Sequence, residues 1–207
     1  MTSVFLSLAD LANAVVAPNG TVSTSQFLDS CRQVLPVIDK LGTGMMIVRS
    51  DIGGNINRLA TAQARDPARY ADLFRIPLDE VARGEECGTH SETNALLWLK
   101  RAMHFIAELL QCLHDDGSMT LAAAASKAYA ATLERHHSWF TSTAFTLALK
   151  IVPSREAFLD QLAPPGGSNV LMPQMSAFLE AFRPVLGAIA GFLESHGLDF
   201  DARNVCG

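Results

Sequence analysis

No stretch of this chain approaches the roughly 18 consecutive apolar residues that a membrane-spanning helix needs. The greasiest, Val185 to Leu193, is interrupted by Gly187 and Gly191, so the reading is of a chain that does not cross a bilayer. Charge is scarce as well, at 18% of residues and a net −5. No basic run of five or more occurs, which argues against a nucleic-acid partner. Cysteines are few, and Cys31, Cys87, Cys112 and Cys206 show neither a CxxC pair nor a metal-ligand spacing. They read as reduced core thiols. Alternating strand patterns and internal repeats are also missing. The first residues, MTSVFLSLADLANAVV, lack a positive start and carry Asp10 inside the apolar part. They read as an amphipathic helix rather than a secretory signal, which makes a cytosolic location the default.

What is present is grease. Hydrophobic residues make up 49% of the 207 and mean hydropathy is +0.19, more apolar surface than an ordinary core requires. The length fits one sizeable domain or a tight pair, and nothing marks a boundary.

The apolar residues recur at helical spacing from end to end. Thr24 or Ser25 is placed to cap a helix to about Leu41, bent at Pro36, and a second helix runs until Asp66-Pro67 stops it. Only short helices are expected from about Pro67 to Gly88. Ser91-x-x-Asn94 opens a buried central helix, Leu96 through Leu113, closed by Asp115-Asp116-Gly117. The alanine-rich LAAAASKAYAATLE has high helix propensity, and its pattern continues through His136-His137-Ser138-Trp139 to about Lys150. Ser154 is a plausible cap for a short helix, 163–173 reads as a loop, and a last helix runs from about Gln174 to Ser195. The chain therefore reads as all-α, with seven or eight helices packed in layers.

On the second helix Asp51, Asn55 and Arg58 recur at i, i+4 and i+7, placing a carboxylate, an amide and a guanidinium in one row. One residue on runs an apolar row, Ile52, Ile56 and Leu59. A ligand with a polar head and an apolar body fits such a surface. A polar stripe on an amphipathic helix is ordinarily its solvated face, and Gly53-Gly54 inside it could mark a turn instead.

The Asp51-x3-Asn55-x2-Arg58 row, Leu96-Leu97-Trp98-Leu99-Lys100-Arg101 and His137-Ser138-Trp139 together resemble the glycolipid transfer protein family in order and approximate separation. The resemblance covers most of the chain, with the block Asn94 to Leu110 especially close. It implies a single domain over 1–207, a two-layer all-helical sandwich of about eight helices that opens to take ceramide chains, and a sugar-recognition site at its mouth. By position, Asp51 would accept from the ceramide amide and sugar, Asn55 and Arg58 would bond sugar hydroxyls, Trp98 would carry the first sugar, and His137 would donate to the amide carbonyl. Phe145, with Phe105 and Leu97, would line the chain pocket. Family members selective for phosphorylated ceramide carry Arg where this chain has Trp98, which favours a sugar headgroup. No cofactor or metal is implied, and the protein would act as a monomer touching membranes peripherally and transiently. One departure is the absence of any Tyr after Tyr129, where family members can use one near the C-terminus; either Phe200 substitutes or the C-terminus does not contribute.

Residue chemistry is compatible with these roles. An ionised Asp only accepts, Arg only donates and Asn does both, while sugar hydroxyls need both. A Trp covers a sugar's C–H face with its flat indole, although apart from the resemblance a lone Trp on a buried helix is ordinarily a core residue. His136-His137 do not suggest a metal, because consecutive helical residues diverge by about 100° and the rest of a ligand set is lacking. His104 and His114 have no supporting neighbours. Trp139, about 200° around a helix from His137, would point to the surface and suit a membrane interface, or pack against another helix. At ~0.8 kcal/mol per methylene, the thirty or so methylenes of a two-chain lipid cost on the order of 25 kcal/mol to place in water, so a carrier must bury them. A lipid sensor of the same fold remains open beside a shuttle. A hydrolase built on Asp51 and His137 lacks a supported nucleophile, since Ser138 sits in no nucleophile-elbow pattern.

Overall fold

A computed structural model of the chain describes residues 5, 9–10, 15–17, 20–137 and 139–200, with the side chains of 139–142 and 168 outside that description. Eight α-helices occur among the described residues, and the only β-type pairings are two isolated bridges. They are α1 Thr24–Asp39, α2 Met46–Arg65, α3 Arg75–Arg83, α4 Glu92–Asp115, α5 Leu121–Thr132, α6 Trp139–Leu149, α7 Arg155–Leu162 and α8 Ser168–Ser195. The fold is the all-α, two-layer sandwich, with α4 at its centre packed against α2, α5 and α8.

The central position of α4 follows from its sequence, because apolar residues fall on nearly every side of it. Leu96, Leu97, Leu99, Met103, Leu109, Leu110 and Leu113 are all fully buried. Its exposed backbone donors are met at the N-terminus from two directions. Ser91 Oγ accepts from Asn94 N at 2.9 Å, and the buried Glu80 carboxylate accepts from Glu92 N at 2.7 Å and Thr93 N at 2.6 Å. Three of the four N–H groups that a helix start leaves unpaired are thereby satisfied. Ser154 caps α7 as expected, and Thr120 caps α5 in the same way. At α1 the cap residue is Ser23, without a side-chain bond; the Thr24 hydroxyl instead donates across to the Tyr70 carbonyl at 2.7 Å.

Burial, reinforced by the Glu92 carboxyl beside it and opposed by the Thr93 bonds, pushes Glu80 up to about 7. The folded chain thus keeps a proton that the unfolded chain gives up in the ordinary carboxyl range, so stability from this group falls as pH rises from that range through about 7. The melting midpoint should drop across this window in the native chain and stay flatter in Glu80→Gln. An equally steep drop in the variant would assign the effect elsewhere.

Four expectations need correction. The alanine-rich helix does not run to Lys150. It ends at Thr132, whose hydroxyl turns back to the Ala128 carbonyl at 2.7 Å, and a 3-10 turn at Glu134–His136 leads to an extended His137 with φ −87° and ψ 144°. High propensity cannot decide where a helix stops when no Gly or Pro marks the place. The loop at 163–173 closes early, because Leu171, Met175 and Phe178 at i, i+4 and i+7 are buried as part of α8, and that burial outweighs Pro173 in the second turn. Cys31 and Cys112 are free and buried, but Cys87 is disulfide-bonded. Finally, α8 is apolar and long enough to cross a membrane by composition, with a mean hydropathy of 1.4 in an 18-residue window within Asn169–Ser195. Its apolar side, Phe178, Phe182, Val185, Ile189 and Leu193, is packed into the core, so one face of the helix belongs to the protein's interior. Of the N-terminal segment, Phe5, Ala9 and Val15 are buried in the core; most of the rest lies outside the described residues.

Candidate headgroup and chain site

The polar row on α2 does not face only solvent. Asp51, Asn55 and Arg58 line a cavity of about 630 Å³ together with Trp98 and Ala102 from α4, His136 and His137 from the turn after α5, and Phe145 and Ala148 from α6. Five residues expected at a headgroup therefore come to one place from three separate parts of the chain. A shallower hollow of about 440 Å³, lined by Ile47, Ser50 and Gly54, runs along the same row. The two glycines are helical, not a turn, and a Cβ on either would meet nothing within 4 Å. The space beside them is open, so no other stretch of backbone is what they make room for.

Asn55, only 6% exposed, donates from Nδ2 to Asp51 Oδ2 at 3.2 Å. Asp51 keeps an exposed edge at the mouth while the cavity walls crowd it. That crowding raises its carboxyl above the usual range, against the pull of the Arg58 charge and the Asn55 bond.

Trp98 stands opposite. Its ring lies 5.7 Å from that of His137 at an interplanar angle of 24°, and the Arg101 guanidinium lies 5.1 Å from its centroid. Arg101 is buried, and its Nη2 donates to Asp199 Oδ1 at 2.7 Å and to the Phe200 carbonyl at 2.8 Å. Burial works against the Asp199 carboxylate, but the Arg101 bond and the Lys100 charge outweigh it and hold the group below the usual range. The chain near the C-terminus is thus tied beneath Trp98. Phe200 itself packs on the core and is not among the cavity-lining residues; 201–207 lie outside the described residues.

His137 is half-buried, and its Nδ1 lies 3.1 Å from the Tyr129 hydroxyl. Burial, with the nearby His136 and Arg101, keeps its pKa below the usual histidine range, so it is neutral at neutral pH. Because the chain is extended here, His136 and His137 both reach the cavity, which neighbours on one helix do not do easily. It also removes the argument that set Trp139 opposite His137 on one helix; the Trp139 side chain lies outside the described residues.

Phe145 closes the apolar end. It stacks on Tyr129 at 4.4 Å and meets Phe105 edge-on at 5.5 Å. Phe105 and Leu97 are fully buried and are not among the lining residues. Thr89 and His90 line the cavity without any signal in the sequence, while Asn94 and His136 line it after being weighed only as a helix start and as half of a metal pair.

A family model described as glycolipid transfer protein matches residues 22–164. The chain belongs to this family. It is 39% identical over 199 residues to glycolipid transfer protein 1 of Arabidopsis thaliana, covering 95% of this chain and 96% of that one. A solved structure described as "How FAPP2 Selects Simple Glycosphingolipids Using the GLTP-fold" superposes with a TM-score of 0.85 at 32% identity, over 92% of this chain and 94% of that one. The apo form of mouse ceramide-1-phosphate transfer protein gives a TM-score of 0.88 at 19% identity, over 95% and 99%. The last likeness is one of fold alone. Membership makes this chain one of a family of lipid transfer proteins.

Proposed function

We propose that the protein binds one glycosphingolipid and carries it between membranes without breaking a bond. The observation that carries this reading is the meeting of Asp51, Asn55, Arg58, Trp98 and His137 in one cavity whose far wall is Phe145. Asp51 takes hydrogen bonds from the amide N–H and a sugar hydroxyl, Asn55 and Arg58 bond further hydroxyls, Trp98 lies under the first sugar, and His137 donates to the amide carbonyl. The ceramide chains enter past Phe145 toward Phe105 and Leu97. The 39% identical relative named as a glycolipid transfer protein supports this reading, as does a Trp rather than an Arg at position 98.

Membrane contact falls to the cavity's rim. Met46 is 67% exposed, Ile47 83%, Leu147 58% and Ile151 65%. Ile47 lines the cavity with Gly44 and Ala148, and a Cβ on Gly44 would meet Ile151 at 3.0 Å, so Ile47 and Ile151 lie at its edge. Exposed apolar groups gathered in this way suit a lipid surface. The reading is of one domain acting as a monomer in the cytoplasm, peripheral and transient at membranes.

Arg58 in the cavity favours one second reading, a phosphorylated ceramide. Transfer of labelled lipids between vesicles separates the two. Galactosylceramide should move well above its spontaneous rate and ceramide-1-phosphate should not. The reverse result moves the chain to the phosphate class, binding without acceleration makes it a sensor, and no effect on either rejects the proposal.

A further inference from the structure

We propose that Tyr129 is a positioning residue that fixes His137 as the tautomer with its hydrogen on Nε2, so that the ring offers a donor to the cavity. The inference rests on the reading above for what the donor serves. The tautomer itself is a property of the empty protein.

His137 sits where the backbone is extended between two helices, with φ −87° and ψ 144°. No helix holds its ring; side chains do. Trp98 stacks on one side at 5.7 Å, Phe145 meets it edge-on at 5.9 Å, and Tyr129 lies 5.5 Å away. Among these, only Tyr129 presents a polar atom to it, a hydroxyl 3.1 Å from Nδ1. Tyr129 is 4% exposed and its ring is stacked on Phe145 at 18°, so the hydroxyl cannot move away cheaply.

A neutral imidazole has one donor nitrogen and one acceptor, and a bond to one nitrogen decides the role of the other. Phenol is the stronger acid of this pair and imidazole the stronger base. The favoured bond therefore runs from the Tyr129 O–H to an unprotonated Nδ1. That leaves the hydrogen on Nε2, the nitrogen for which no hydrogen-bond partner occurs among the described residues. An Nε2–H can serve a carbonyl, whereas the opposite tautomer would meet that carbonyl with a lone pair.

The test compares four proteins: native, Tyr129→Phe, His137→Gln and the double variant. Tyr129→Phe keeps the ring on Phe145 and removes only the hydroxyl. Nitrogen NMR of the ligand-free native protein should report Nε2–H at His137, and Tyr129→Phe should shift it to a tautomer mixture. Galactosylceramide binding should weaken about five- to tenfold in Tyr129→Phe, the size expected for one buried hydrogen bond. In the His137→Gln background the amide carries its own donor whatever Tyr129 does, so adding Tyr129→Phe should cost no more than about twofold. An unchanged tautomer in Tyr129→Phe, or an equal loss in both backgrounds, overturns the proposal by making Tyr129 a packing residue. If the native protein binds no glycosylceramide the functional reading fails, and the ring-nitrogen signals still decide the role of Tyr129.

Discussion

Replacing Trp98 by alanine is expected to abolish glycosylceramide uptake while leaving helical content unchanged. The indole is only partly buried against the core, and alanine is the better helix former, so α4 persists. What is lost is a flat apolar face for the sugar. Covering roughly 100 Å² of indole at about 25 cal/mol per Å² contributes about 2.5 kcal/mol, a change of about seventyfold in affinity. Arg101 is also uncovered, which places a charge where the sugar's C–H face should lie. Binding of labelled galactosylceramide and far-ultraviolet circular dichroism on the same samples check both halves of the expectation. Retained uptake removes Trp98 from the site.

Asp51→Val should have an effect of the same order. Hydrogen bonds to an ionised group contribute about 1.5–3 kcal/mol each, and the proposed role gives Asp51 two of them. The substitution also takes the acceptor from Asn55 Nδ2 and leaves Arg58 without its nearby opposite charge. The site loses its negative pole and keeps its donors, so binding should fall below detection while the melting midpoint moves little. Asp51→Asn separates charge from shape: it should bind more weakly than the native chain and better than Asp51→Val. If both Trp98→Ala and Asp51→Val still take up lipid, the cavity is not the headgroup site.

Much of the fold was legible because helix physics is local. Ser91, Thr120 and Ser154 each sit before an apolar-periodic run and each accepts the capping bond that its place predicts. The break after Thr132 was not legible, since LERHHSWF contains neither Gly nor Pro and follows the best helix formers in the chain. Tertiary demand made that break, bringing two adjacent histidines to one cavity. The start of α8 was hidden for the opposite reason: Pro and Gly crowd it, while the burial of Leu171 and Met175 that forms it is not a local signal.

The site divides in the same way. The spacing of Asp51, Asn55 and Arg58 placed them in a row, but no spacing indicates that Trp98 and His137 will face that row. Only the likeness to a family brought them together on paper. Tyr129 escaped notice because a tyrosine on an alanine-rich helix reads as core, and its ring is core; the informative atom is its hydroxyl. Arg101 stood in the segment that carries the likeness, but no spacing indicates that its charge is buried against the indole.

One helix carries a further consequence. By length and composition α8 passes for a spanning helix, and its apolar side is taken from water by packing on α4 and α7. Opening the fold releases a segment of spanning length. Anything that captures such a segment favours the opened chain by mass action. The tertiary packing of α8 therefore opposes its capture by other apolar surfaces.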